Sequence, residues 1–302
     1  MTRLFAIIPT VFGVLLLTFM LVHLIPGDPV EVMLGESATA ADRIQLRAGL
    51  GLDHPLPQQF FDYLEKLSHG DFGISVHGHA PISGLLAERF PATLCLAWLS
   101  LSLAVMLGLP LGIVAALNHD HWLDRLTTSL SLTLSAMPHF WLGPLLMLVF
   151  ALWLGWLPVS GMESAHAIVL PALTLASGLT AILTRMTRSS LLEVLNEDFV
   201  RTARAKGLPE RTVILRHALR AALLPVITVL GLQLGSLLAG AVVTETVFGW
   251  EGIGRLLVES IDKRDYPVTQ ACVLVIALTY VLVNLVTDLL YSRIDPRIRF
   301  SE

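Results

Sequence analysis

The sequence predicts an all-α, polytopic integral membrane protein with six spanning helices, and three observations carry that prediction. First, 54% of the 302 residues are hydrophobic and 15% are charged, against about 25% charged in an ordinary soluble domain. Second, six runs contain no Asp, Glu, Lys or Arg: 4–25, 92–117, 126–154, 168–184, 222–244 and 269–287. Crossing roughly 30 Å of hydrocarbon takes about 20 helical residues. Third, no run alternates like a membrane barrel strand, so helices are left to satisfy the backbone inside lipid. The same balance excludes a soluble enzyme, a disordered chain and a nucleic-acid binder. Two cysteines, Cys95 and Cys272, exclude a disulfide framework and a four-cysteine zinc site. The net charge of −4 leaves no polybasic surface.

The elements follow in order. The run 4–25 comes after Arg3, is too long for a secretory signal, and has no small-x-small cleavage site before Pro26, so it reads as a retained helix. The segment 26–91 reads as a small external cap. Phe60, Phe61, Leu64 and Leu67 fall at helical spacing, and Ser37 or Thr39 caps another helix ahead of Ile44. The run 126–154 is too long for one straight span, and Pro138 and Pro144 kink it or lay part of it at the interface. The chain therefore divides into 1–91, a first helix with its cap, and 92–302, a five-helix core. That core carries the loop 185–221, and a second loop, 245–268, is rich in glycine and charge. With the amino terminus inside, 13 Lys and Arg fall on the cytoplasmic side and 7 outside, and eight of the 20 lie in 185–221. Both termini are then cytoplasmic. There is no internal repeat and no low-complexity tract.

The loop 185–221 is the functional clue. Within it, 196–207 reads as a short helix with both ends marked. Asn196 is the amino cap, Glu197 and Asp198 suit the positive end, Lys206 suits the negative end, and Gly207 takes the left-handed stop. Phe199 and Ala203 share a face at i, i+4, a ring beside a small residue that another protein can receive. A basic helix lying on anionic lipid is the alternative.

Arg185-Met186-Thr187-Arg188-Ser189-Ser190 and the stretch from Glu197 to Leu208 resemble the coupling loop of the dipeptide/oligopeptide/nickel group of ABC-transporter permeases. His217-Ala218-Leu219-Arg220-Ala221-Ala222-Leu223-Leu224-Pro225 resembles its continuation into the fifth helix. Further matches run along the chain in order: Ile25-Pro26-Gly27-Asp28-Pro29, Gly51-Leu52-Asp53, Gly70-Asp71-Phe72-Gly73-Ile74-Ser75, Thr244-Glu245-Thr246-Val247-Phe248, Arg264-Asp265-Tyr266-Pro267-Val268 and Asp295-Pro296-Arg297-Ile298-Arg299. Two departures stand out. Arg201-Thr202-Ala203 replaces the general Glu-Ala-Ala start, and Glu251 follows Trp250 where the subgroup has proline.

The resemblance implies a type I ABC importer permease fold in a bacterial inner membrane, forming half of a path for peptides or related small solutes. It implies a second homologous permease, two ATP-binding subunits and a periplasmic or lipid-anchored solute-binding protein. ATP and Mg would be used by those partner subunits, and this chain binds no cofactor of its own. In agreement, the sequence has no G-x-x-x-x-G-K-[ST] phosphate loop. The residues assigned to ATPase coupling are Glu197, Asp198, Phe199, Arg201, Ala203, Arg204 and Gly207. Phe199 and Ala203 pack, the charges set register, and Gly207 turns the chain.

In the fifth helix Gly231 and Gly235 form a G-x-x-x-G packing pair. Thr228, Gln233 and Ser236 are assigned to the translocation path, together with Glu245, for which an interfacial carboxylate reaching water is the alternative. His77/His79 and His119/His121 have i, i+2 spacing without a third ligand and read as solvated loop residues. His23 and His139, in apolar runs, read as hydrogen-bonded to a neighbouring helix. Nickel or a metal chelate is the alternative cargo. An intramembrane hydrolase needs a Ser/His or two-carboxylate pair inside the spans, and a channel or secondary transporter often has charged groups there. The six runs hold no Asp, Glu, Lys or Arg, and His23 and His139 come without a nucleophile motif.

Overall fold

The computed structural model describes residues 2–24, 28–34 and 39–294. Ser37, the 25–27 part of the first external motif and the terminal 295–299 motif lie outside the described residues. Helices account for nearly everything described, with one isolated bridge, Ile74 to Pro81, and no strand among those residues. Packing divides the chain into two units. One holds 1–94 and 251–282, the other 95–250 and 283–302. The first segment thus packs with 251–282, a stretch that the division at 91 placed in the core.

In the first unit, α1 (Thr2–His23) is followed by three short helices, α2 (Pro29–Leu34), α3 (Ala40–Leu50) and α4 (Leu56–Ser68). Thr39 caps α3 in a reciprocal box with Asp42, and the hydroxyl and amide of Thr39 hold the Asp42 carboxyl below its usual range. Gly51 closes the same helix at φ +68°. The amphipathic α4 lies along α1: Phe60 meets Phe12 and Phe19 edge-on at 6.0 and 5.2 Å. The Tyr63 hydroxyl is 3.3 Å from that of Thr18, and burial pushes the Tyr63 phenol up. His23 bonds Gln59 of α4 at 2.9 Å, the neighbouring-helix partner expected of it.

The rest of this unit gathers the start of α5 (Ile82–Leu117), α12 (Ile253–Asp262) and the start of α13 (Tyr266–Ile294) around Ile82, Leu86, Ile253, Val268, Ala271 and Cys272. Helix α12 was not expected, although Ile253, Leu256 and Leu257 carry its i, i+3, i+4 signature. Thr93 Oγ1 accepts from the Ile253 amide at 2.9 Å, and Ser75 donates to the buried Asp265 at 2.5 Å. Arg89 pairs with Glu251 at 3.1 Å.

In the second unit, α8 (Val169–Leu195) is the axis, and α11 (Leu219–Phe248), α6 (Trp122–Ala136) and α7 (His139–Leu146) pack on it. Three of its buried hydroxyls bond within their own helix: Thr174 donates to Leu170 O at 2.9 Å, Ser177 to Thr174 O at 2.7 Å and Thr184 to Thr180 O at 2.8 Å. Ser190 instead reaches Ala222 O of α11 at 2.8 Å. The run 126–154 breaks into α6 and α7 with a 111° bend. Pro138 is the cause, because its ring drives Met137 out of the helical region, to φ −82° and ψ 121°. Pro144 sits inside α7 and does not break it; the chain continues as a π-helix over Met147–Trp153.

Among the described residues, Ile82–Leu117, Val169–Leu195, Glu210–Phe248 and Tyr266–Leu289 are each long and apolar enough to span a membrane. The bent pair makes a fifth, and Ile7–His23 is a shorter apolar helix. Helices outrun the uncharged runs: α5 takes in Glu88 and Arg89, and α8 takes in Arg185 and Arg188.

Candidate functional site

Two residues, Asn196 and Glu197, separate α8 from α9 (Asp198–Ala205). The expected amino cap, Asn196, instead ends α8, and its side chain donates to Leu192 O at 3.0 Å. The extended capping position is Glu197, at φ −71° and ψ 150°, with no side-chain cap bond. The reason is that α8 runs on to Leu195, leaving Asn196 to close one helix before the next opens. Gly207 behaves as expected, at φ +75°. Replacing it with alanine forces a Cβ into the left-handed region at about 1–2 kcal/mol. Gly207→Ala is expected to lower transport without lowering the amount of protein in the membrane, as read by uptake normalised to immunoblot signal.

Helix α9 is two-faced. Val200 and Ala203 are 0% and 6% exposed and join Ala116, Leu191, Val213, Ala218 and Ala222 in one cluster. Ala203 is therefore committed to the chain's own core. It does not form an outward knob with Phe199, which is 45% exposed. Both residues lie on one helix, but a 100° step per residue lets Ala203 share the buried side with Val200. The outward side carries Asp198, Phe199, Arg201 and Arg204, with Glu197 just ahead of it. Asp198 and Arg201 pair loosely at 3.4 Å.

Arg204 turns to Glu210, first residue of the short α10 (Glu210–Thr212), with contacts of 2.7 and 3.2 Å that bridge the turn at Gly207. The carboxylate raises the Arg204 guanidinium further above its high ordinary value. Glu210 was not singled out by sequence reasoning, though its place just after Pro209 at a helix start was a readable signal. A π-helical stretch, Val213–Ala218, leads on into α11.

The four residues assigned to the translocation path do not share one exposed surface. Thr228 and Ser236 are exposed on α11, on the side that also exposes Leu224, Leu232 and Val243, and Gln233 is half-buried beside Ser236. Glu245 is 0% exposed, so the alternative reading, an interfacial carboxylate reaching water, is not found. Gly231 and Gly235 are buried on α11. A Cβ at Gly240 would fall 2.9 Å from Leu175 of α8, so that glycine also serves close approach. His139 reaches Thr174 O of α8 at 3.1 Å, as expected for a histidine bonded to a neighbouring helix.

Among the described residues, His119, Asp120 and Asp124 bring potential ligand atoms within 4.8 Å of one another. Arg188 already occupies both Asp124 oxygens, at 2.5 and 2.7 Å, which opposes a cation there. His121 turns back to His119 O at 2.9 Å and does not join the group.

Helix α9 thus lies exposed in the chain between two long apolar helices, α8 and α11. Residues 108–300 match the model of the binding-protein-dependent transport system inner membrane component family, and 1–97 match that of its amino-terminal region. The chain belongs to this family. Two relatives at full length are glutathione transport system permease proteins named GsiC. That of Salmonella typhimurium is 48% identical over 299 residues, covering 99% of this chain and 98% of the relative. That of Escherichia coli is 46% identical over the same span. Among solved structures, an inward-facing MetNI methionine ABC transporter aligns with TM-score 0.60 at 16% identity, covering 70% of this permease and 96% of that chain. An amino acid ABC transporter aligns at 0.54 and 18% identity. The fold is thus that of an ABC importer permease, and the chain is a transport subunit, not an enzyme.

Proposed function

We propose that this permease forms half of the translocation path of an ATP-driven importer for glutathione or related short peptides. The substrate reading rests on the near-half identity to glutathione permeases along 99% of the chain. The single structural observation behind the mechanism is α9, whose charged side and Phe199 stay exposed while Val200 and Ala203 anchor it. An ATP-binding subunit receives that exposed side. Closure of two such subunits on ATP and Mg pushes α9, and through α8 and α11 opens the path toward the delivering solute-binding protein. Hydrolysis resets it. A second homologous permease supplies the other half, facing the side of α11 that carries Thr228 and Ser236. Both termini and α9 lie in the cytoplasm, and six helices cross the membrane, with α1 and the bent α6–α7 pair among them.

The test is uptake by the complete importer in proteoliposomes with its binding protein. ATP-dependent uptake of glutathione or a dipeptide is the expected result. Uptake of nickel in place of both sinks the substrate reading, and uptake indifferent to ATP sinks the importer reading.

A further inference from the structure

Asp124 and Arg188 form an ion pair, buried at the carboxylate and 27% exposed along the arginine side chain, that the proposed mechanism does not use. Asp124 is 3% exposed. Arg188 donates to Asp124 through Nε at 2.5 Å and a terminal nitrogen at 2.7 Å, and the Asp120 amide donates at 3.1 Å. Thr128 adds a fourth donor at 3.4 Å. Taking the Asp124 carboxylate out of water is costly, and well-packed apolar residues often hold two helices together as well. What a two-point fork adds is direction: it fixes the angle between its partners as well as their separation.

The pair stands where direction matters. Arg188 lies about two turns before the end of α8, and only Asn196 and Glu197 join that end to α9. Asp124 stands in the first turn of α6. Beyond the break at Pro138, α6 becomes α7. A Cβ at Gly143 of α7 would fall 3.1 to 3.2 Å from Phe248 and Val247, at the far end of α11. The Gly161 amide donates to Phe248 O at 3.1 Å, hooking the chain after α7 to the same place. A continuous run of contacts therefore leads from α9 through α8, the ion pair, α6 and α7 to the end of α11 remote from α9.

We propose that Asp124 is a positioning residue of energy coupling: through Arg188 it makes α6 follow the shaft that carries α9, so a push on α9 reaches the far end of α11. The inference rests on the importer reading above. A path of contacts becomes a path of coupling only when an energetic test says so.

The test uses the complete importer in proteoliposomes and reads substrate taken up per ATP hydrolysed. Asp124→Asn keeps the shape and removes the charge. Arg188→Lys keeps the charge and removes the fork. Each is expected to lower uptake per ATP at least about tenfold, with assembled complex held within about twofold of wild type. The double variant is expected to lose no more than the worse single one, as residues acting as a unit do. Unchanged uptake per ATP in both single variants overturns the proposal. So does a loss that only tracks the amount of assembled complex, or additive losses in the double variant. If Asp124→Asn fails to assemble, Arg188→Lys decides alone on the same ratio. A wild-type chain that recruits no ATPase overturns the importer reading itself, a different outcome from a wild type that couples and variants that couple equally.

Discussion

Gly112→Ala is expected to destabilise the permease by about 2–3 kcal/mol, a large effect for the addition of one methyl group. Gly108 and Gly112 face α8 from α5, where a Cβ has no room. At Gly112 it would fall 2.6 Å from the Thr184 carbonyl oxygen and 2.6 Å from Thr187 Cβ. At Gly108 it would fall 2.8 Å from Leu183 Cβ and 3.1 Å from the Thr180 oxygen. The obstacles are backbone and the bases of side chains, so no rotamer change relieves the clash, and the two helices must move apart. Separation forfeits the dispersion contacts along the seam, which are the main force between helices in lipid. Gly84, on the same helix, has nothing within 4 Å of its Cβ position. Alanine there is expected to be neutral or slightly stabilising, through helix propensity. Melting temperature in detergent and abundance in the membrane read the difference. Equal values for Gly84→Ala and Gly112→Ala sink the packing argument.

That seam was written in the sequence as Gly108-Leu-Pro-Leu-Gly112, the same G-x-x-x-G signal read at Gly231 and Gly235. The spacing alone marks a close helix approach, and only the packing shows that α8 is the partner. The architecture was readable for a simple physical reason: lipid tolerates no unpaired backbone, so long uncharged runs leave one conformational answer. What the runs hid was where helices stop. Arg188 lies beyond the uncharged run 168–184 yet inside α8, where Asp124, 64 residues earlier in the chain, pairs with it. A partner that distant has no local signature. The same limit explains Glu245, whose burial is decided by packing that the pattern around it does not encode. At α9 the helix, its carboxyl-terminal glycine and its two-faced character were all legible. Which of two neighbouring small or aromatic residues faces inward was not, since Val200 competed with Phe199 for the buried side and its neighbours settled the matter.

That rearrangement decides which substitution probes coupling. Phe199→Ala is expected to abolish transport while leaving the permease folded. Phe199 is 45% exposed on a helix whose hold on the chain comes from Val200 and Ala203, so truncating it removes little internal packing. At an interface, a central aromatic anchor is worth about 2 kcal/mol or more, which weakens the ATP-binding subunit's hold about thirtyfold. The flanking charges of Asp198, Arg201 and Arg204 change register and association rate more than affinity. Ala203→Trp, by contrast, drives an indole into a cluster whose members are nearly all closed to solvent. It is expected to lose the protein itself, so an inactive Ala203→Trp says nothing about coupling. The two are separated by pull-down of the ATP-binding subunits beside membrane abundance. Phe199→Ala keeps abundance and loses the subunits, and Ala203→Trp loses abundance first. Wild-type subunit recovery and uptake in Phe199→Ala would move the docking contact off this residue and onto the charged side of the helix.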